Sequence, residues 1–468
     1  MFSYLEASRL LRVSPEFQDL SLTVRSLSID TRTLSPGDLF VAFKGEQCDG
    51  HDFLAAAFEK GASGALIDFR RKEALVARLR EAKVPVRNLI PVKDPQDAMT
   101  KLAAEYRKTL PVKVVGVTGS VGKTTTKEFL SYLLRRKYSV LATAGNLNNH
   151  LGVPIMLSRL EPSHQYCVME MGASHCGEIR ALARIAAPSG GILTRIGPAR
   201  LEGFGSLENV YDTKLELTDF LKKEDPLVVP EGDTRLLEKI SQRGRKAVTV
   251  GYSERAEYRI TDVNAADGKV SFFVNGHGRF SFPGQASFLV LNAGLAVAMA
   301  RSLGLAWEEI PCKWEDVGFA SGRFRETILP NGVRVIDDSY NANPVSFGNA
   351  LVAFQALPGS GKKIVVFADM LELGPEELRF HAELGEKIAV SGANVVLAYG
   401  KRTQASIQAL ERLKTGCEAR HFKDSLETLA ALKEIVRPGD VVLFKGSRSM
   451  HVEKVLEGIR HISFSVQT

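Results

Sequence analysis

The chain has 468 residues, 44% hydrophobic and 25% charged, with a formal net charge of +7 at pH 7. That length exceeds what one hydrophobic core serves, so about three domains are expected, and the composition is that of a folded globular protein. No apolar run reaches the roughly 18 residues of a membrane span, and the basic clusters at 70–72, 135–137 and 243–246 are too short and separated to form a nucleic-acid stripe.

In chain order, residues 1–92 combine turns and short strands over 28–45, a helical stretch over 51–59 and a strand over 65–68, which reads as a small α/β unit. The opening Met-Phe-Ser-Tyr-Leu-Glu has neither the basic flank nor the apolar core of a signal peptide. From 93 to 317, strands at 113–117, 166–171, 191–196 and 227–229 alternate with helical patterns at 124–134, 178–185 and 207–221, predicting a parallel sheet wrapped by helices. Asp267-Gly268 and Asn275-Gly276 are hairpin signals that add an antiparallel edge. From 318 to 468 the rhythm restarts, with strands at 333–337, 363–367, 395–399 and 441–444 giving a second doubly wound sheet. Flexibility is expected at the two junctions, near 92 and 318. Five scattered cysteines with no C-x-x-C pair argue against a disulfide framework and for a reducing cytoplasm.

The most specific segment is 112–126, an apolar strand running into Thr118, Gly119, Ser120, Val121, Gly122, Lys123, Thr124 and Thr125. Glycines there let backbone N–H groups turn toward phosphates, Lys123 adds a point charge, Thr124 offers a hydroxyl to Mg²⁺, and the following helix presents its positive end. The spacing G-x-x-x-x-G-K-T is not met, because Val117 stands where the first glycine belongs and Gly116 lies one residue earlier. Glu170, ending the next apolar strand, can complete a Mg²⁺ shell with Thr124 if the two strands are neighbours. Asn343-Pro344 is a helix start, and the polar run 337–341 before it suits a ligand loop. Arg323, at the second junction, offers a cation to a γ-phosphate. Lys214 follows a glycine-rich loop, where a lone lysine is ordinarily surface charge. His175 beside Cys176 lacks further ligands spaced for zinc.

With these segments in place the chain resembles the Mur ligases, ATP-dependent amide-forming enzymes of bacterial cell-wall synthesis, over essentially its whole length. Residues 118–125 resemble that family's phosphate loop, 145–149 and 168–173 its central substrate and Mg²⁺ segments, and 30–32, 36–42 and 49–51 its UDP-binding first domain. The stretches 338–344, 369–374 and 445–450 are similar to those of the branch that joins D-alanyl-D-alanine to UDP-N-acetylmuramoyl-tripeptide. The resemblance implies three α/β domains, the last Rossmann-like, with divisions at 1–92, 93–317 and 318–468. It implies a cytoplasmic monomer that uses ATP and Mg²⁺, and those two substrates, through an acyl phosphate.

By the same resemblance Thr124, Glu170 and a carbamylated Lys214 hold metal, and Lys123, Lys214, Arg323 and Arg200 are catalytic. Residues 118–125 with Asn292, Arg323, Asp338, Tyr340 and Asn341 hold the nucleotide. Asp30, Thr31, Arg32, Lys44, Asn148, Asn149, Asn343, Lys445 and Ser447 hold substrate. Three positions depart from the family pattern. Arg200 stands in a segment that usually carries a metal-binding histidine, Arg195 replaces an asparagine, and Phe288 replaces a histidine. Because a guanidinium stays protonated and cannot ligate a metal, Arg200 is expected to replace a second Mg²⁺ in part, as a fixed charge. Two rivals remain: a folate-extending or other Mur-type ligase sharing the loop, and a P-loop switch that hydrolyses ATP without an amine acceptor.

Overall fold

The computed structural model describes residues 2–13, 23–86, 88–318 and 321–460. Three α/β units follow one another. The first is a four-stranded parallel sheet of Leu27–Ser28, Leu39–Val41, Gly64–Asp68 and Asn88–Val92. The central unit is built on nine strands. Seven run parallel, in the spatial order Val140–Ala142, Tyr166–Glu170, Lys113–Thr118, Gly190–Leu193, Leu227–Pro230, Val248–Gly251 and Tyr258–Ala266. Lys269–Val274 and His277–Pro283 then extend it as antiparallel hairpins at the two predicted turns.

The third unit has six strands, parallel from Arg334–Asp338 through Val441–Lys445, Lys363–Ala368 and Val395–Tyr399 to Glu418–Phe422, with Arg325–Ile328 antiparallel at the edge. The helix expected over 207–221 stops at Leu215 and tightens into a 3-10 turn, Glu216–Phe220.

The strand Lys113–Thr118 sits between Tyr166–Glu170 and Gly190–Leu193, so the phosphate loop emerges from the middle of the sheet. Val117 pairs with Glu170, which brings the carboxylate to the same sheet end as the loop. Gly116 is a strand residue rather than part of the loop. A Cβ there would lie 2.8 Å from Leu217 Cδ1, so the glycine answers to packing under the sheet.

The helix Lys123–Leu134 that follows the loop is held in place by an aromatic cluster. Trp314 is fully buried, with ring centroids 5.2 Å from Phe129 of that helix, 5.8 Å from Phe272 and 5.9 Å from Phe280, and its Nε1 donates to Pro311 O. Near residue 92 the chain is packed rather than loose. The helix Pro95–Lys108 buries one face, Arg107 at its end donates to Ala186 O and Val112 O, and Ser158 Oγ accepts from Leu27 N at 2.9 Å across the first two units. At the second junction, residues 319 and 320 lie outside the described residues.

Replacing Trp314 with alanine removes an aromatic core beneath the loop helix. The expected cost is about 3–5 kcal/mol of stability, read from the midpoint of urea unfolding followed by circular dichroism. Nucleotide affinity should fall with it, because Phe129 loses its support.

Candidate active site

A cavity of about 770 Å³ opens between the central and third units. Its floor is the phosphate loop. Gly119 (φ +144°) and Gly122 (φ +93°) hold backbone that side chains rarely adopt, and neither has room for one. A Cβ on Gly119 would lie 2.1 Å from Thr194 Oγ1, and one on Gly122 would lie 2.7 Å from Asn292 Oδ1. The same packing places Asn292, from the buried helix Val290–Ser302, directly behind the loop. Ser120 N and Val121 N donate to Arg195 O, which fixes the loop's curl.

Lys123 Nζ folds back to donate to Gly119 O at 2.9 Å. Burial pushes this lysine down to about 8 from 10.5, with Arg323 and Arg200 adding to the effect and Glu170 opposing it.

Glu170 Oε1 accepts from Asn148 Nδ2 at 2.8 Å, while its Oε2 is buried with no hydrogen-bond partner. An orphaned buried carboxylate oxygen on a residue that lines the same cavity as Thr124 is the feature a hard divalent cation satisfies. Among the described residues no group of three His, Cys, Asp or Glu gathers as a metal site, and His175 instead faces Glu178 Oε1 at 3.3 Å.

Lys214 is not surface charge: it is 3% exposed, with Nζ 5.3 Å from the Phe204 ring centroid. Burial first, then Lys123 and Arg200, drive its pKa well below the ordinary lysine value, so its amine is held toward the neutral form.

The third unit supplies the roof. Arg323 Nη2 donates to Thr124 Oγ1 at 3.2 Å, and its guanidinium lies over the Tyr340 ring at 4.2 Å. Asp338 and Lys445 stand opposite each other on neighbouring strands, and Lys445 Nζ donates to Asp338 Oδ2 at 2.5 Å and to Asn341 O at 3.0 Å. Asp338 Oδ1 accepts from Phe324 N, so this carboxylate organises the roof from within. Asn343 caps the helix Pro344–Ala356, accepting from Ser346 N at 2.8 Å. Arg195 Nη1 donates to Asn349 Oδ1 of that helix at 3.2 Å, a direct tie between units.

Of the residues expected from sequence, 119–125, Asn148, Asn149, Glu170, Arg200, Lys214, Asn292, Arg323, Asp338, Tyr340, Asn341, Asn343 and Lys445 meet in this cavity. Thr118 and Ser447 do not line it. Thr118 Oγ1 donates to Met171 O, and Ser447 Oγ accepts from Leu371 N. Asp30, Thr31, Arg32 and Lys44 lie on the first unit, outside the lining, where Arg32 is paired with Asp30. Tyr252, Phe324, Asn349 and Glu372 also line the cavity without having been expected there.

Family models cover most of the chain: "Mur ligase family, catalytic domain" over 23–107, "Mur ligase middle domain" over 117–300, and "Mur ligase, glutamate ligase domain" over 322–448. The UDP-N-acetylmuramoyl-tripeptide–D-alanyl-D-alanine ligase of Bacillus subtilis (strain 168) is 33% identical over 453 residues, 95% of each chain. The chain belongs to the Mur ligase family. Among solved structures it is similar to MurF of Acinetobacter baumannii (TM-score 0.83, 28% identity, 98% of this chain and 99% of that one). It is also similar to the MurF ligase of Thermotoga maritima in complex with ADP (TM-score 0.76, 30% identity, 94% and 98%).

In this Mur ligase Lys123 carries a testable proton. Its folded value near 8, against 10.5 unfolded, means that it loses its proton in the folded protein first, so folding stability rises with pH between those values. Phosphates restore the charged form. Binding of ADP at pH 9 should therefore take up about one proton, an uptake that vanishes at pH 6.5 for this group and in Lys123→Met. Calorimetry in buffers of differing ionisation enthalpy reads it.

Proposed function

We propose that this protein joins D-alanyl-D-alanine to UDP-N-acetylmuramoyl-tripeptide at the expense of ATP, in peptidoglycan precursor synthesis. The observation that carries the reading is a phosphate loop, an unsatisfied carboxylate oxygen and a buried lysine whose pKa is held low by that burial, all facing one cavity closed by an arginine from the third unit. It is supported by full-length similarity to ligases that carry that name.

A carboxylate is a poor electrophile, so the reaction needs its oxygen to attack the γ-phosphorus of ATP, releasing ADP and forming an acyl phosphate. The amine of D-alanyl-D-alanine then attacks the acyl carbon, phosphate leaves with the bonding pair, and the amine gives up a proton. In-line attack is chiefly a matter of alignment and charge, which this chain supplies with Lys123 on the β,γ-phosphates and Arg323 and Arg200 on the transferring group. Thr124 and Glu170 would hold Mg²⁺, which when bound neutralises phosphate charge. A neutral Lys214 amine is the form that adds CO₂ and gives up a proton to become a carbamate, which would put an anionic group on the cavity that Glu170 also lines. Arg200 then stands as a fixed cation where the family ordinarily carries a metal-binding histidine.

Residues 118–125, Asn292, Asp338, Tyr340 and Asn341 serve the nucleotide. Asn148, Asn149, Asn343 and Lys445 border the acceptor side, Ser447 supports Leu371, and Asp30, Thr31, Arg32 and Lys44 belong to the UDP end on the first unit. The same reading divides the chain at 1–92, 93–317 and 318–468 and places a monomer in the cytoplasm. Among the described residues no helix is long and apolar enough to cross a membrane.

Phosphate release should appear only when both acceptors are present, matching UDP-pentapeptide by mass one for one. Release indifferent to D-alanyl-D-alanine would favour a nucleotide switch instead. Glu170→Ala should raise the Mg²⁺ concentration needed for half-maximal rate at least tenfold, read by titrating Mg²⁺ at saturating ATP.

A further inference from the structure

Among the described residues eleven other than glycine have positive φ. Eight have local reasons: C-terminal helix ends, as at Ala187 and Lys414, hairpin turns, as at Asp267 and Asn275, or a bulge, as at Asp262; Arg200 instead precedes the short helix Leu201–Phe204, an N-cap position that ordinarily takes extended backbone. The remaining three, Arg200 (φ 56°), Phe324 (φ 53°) and Glu372 (φ 62°), all line the cavity. Left-handed backbone on side-chain-bearing residues persists only where the surroundings enforce it, and it collects at working sites.

Two of the three meet across the domain boundary. Glu372 O accepts from Glu202 N at 3.2 Å, and Glu372 Oε2 lies 3.5 Å from Arg200 Nε. The side chains are 52% and 44% exposed, so the ion pair contributes little to stability and does not by itself account for the strain.

The loop that carries Glu372 is braced from behind at three successive residues. Asp369 Oδ1 accepts from Arg402 N and Thr403 N at 3.0 Å each, Met370 N donates to His381 Nε2 at 3.0 Å, and Leu371 N donates to Ser447 Oγ at 2.8 Å. His381 is buried, and burial lowers its pKa. Its Nδ1 lies 2.7 Å from Glu377 O, so a neutral ring donates there and accepts from Met370. Arg200, for its part, donates through Nη1 to Ser174 Oγ and acts on both Lys123 and Lys214.

We propose that Glu372 is a positioning residue for Arg200. When the third unit is seated, Glu372 at Nε and Ser174 at Nη1 together hold the guanidinium on the cavity, where charge builds on the transferring phosphoryl group. The idea rests on the phosphoryl-transfer reading above. It makes Arg200 depend on domain closure, since its brace arrives from the other unit.

The test is a double-mutant cycle of Glu372→Gln and Arg200→Gln, titrating Mg²⁺ with ADP alone and with ADP plus aluminium fluoride, which mimics the phosphoryl group in flight. Glu372→Gln should leave ADP affinity within twofold and weaken the fluoride complex about tenfold. In the Arg200→Gln background it should add no more than twofold. In turnover, kcat should fall by the same factor with KM for ATP unchanged. Glu372→Gly, which relieves the backbone strain, should keep or raise Tm while losing the same factor in the fluoride complex. Equal losses in both backgrounds, no loss for the fluoride complex, or a loss in Glu372→Gly that tracks a falling Tm would overturn the proposal. A wild type that makes no pentapeptide would remove the substrate assignment alone, because the fluoride titration needs neither acceptor. A wild type that binds the fluoride complex no better than ADP would remove the positioning role.

Discussion

The cavity holds more positive charge than it can comfortably neutralise. Six basic side chains face four carboxylates there, and Asp338 is already committed to Lys445 and to a backbone N–H. In a partly dehydrated space each unpaired cation is unfavourable, which is why Lys123 is pushed down to about 8 and Lys214 is held well below its ordinary value. Relief comes from an anion with several charges, and a nucleoside triphosphate beside a substrate carboxylate supplies it. The loop glycines, the central strand order and the register of Glu170 against Val117 all serve to place backbone N–H groups and one carboxylate at the same point of that field.

No single unit completes the site. The central unit brings Lys123, Glu170 and Lys214. The third brings Arg323 onto Thr124, Asn349 onto Arg195 and Glu372 onto Arg200. Gly197 has no room for a Cβ, which would lie 2.5 Å from Val345 Cγ2, so the two units approach at van der Waals distance. An acyl phosphate is destroyed by water, and a site assembled from two closing faces protects it while it forms. The first unit is fastened differently, through Ser158 and the buried face of the helix Pro95–Lys108, and so forms a fixed platform beside the central sheet.

Much of this was readable from sequence because it rests on local patterns. The strand, glycine turn and Gly-Lys-Thr helix start are contiguous, the hairpins at Asp267-Gly268 and Asn275-Gly276 announce themselves, and Asn343-Pro344 caps its helix as residue type predicts. What escaped notice lacks such a pattern. Arg325–Ile328 and Glu418–Phe422 are short edge strands with mostly exposed polar residues, so they carry no apolar run. By residue pattern alone Lys214 reads as surface charge, and only the family resemblance marks it until the fold shows it buried. Arg195 and Asn349 are 154 residues apart, and the meeting of Arg200 with Glu372 depends on how two units dock. Gly116, one residue before the first glycine position of the usual loop, is spared for packing under the sheet, a reason that only the fold supplies.

Transfer of the γ-phosphoryl group to a carboxylate is the step that every part of the site serves. The direct measurement is the fate of ¹⁸O placed in the terminal carboxylate of UDP-muramoyl-tripeptide during turnover with ATP and D-alanyl-D-alanine. Formation and aminolysis of an acyl phosphate must carry one labelled oxygen into each inorganic phosphate released, seen as a mass increase in the phosphate. Unlabelled phosphate formed alongside pentapeptide would contradict it, because the carboxylate oxygen would then never have been bonded to phosphorus.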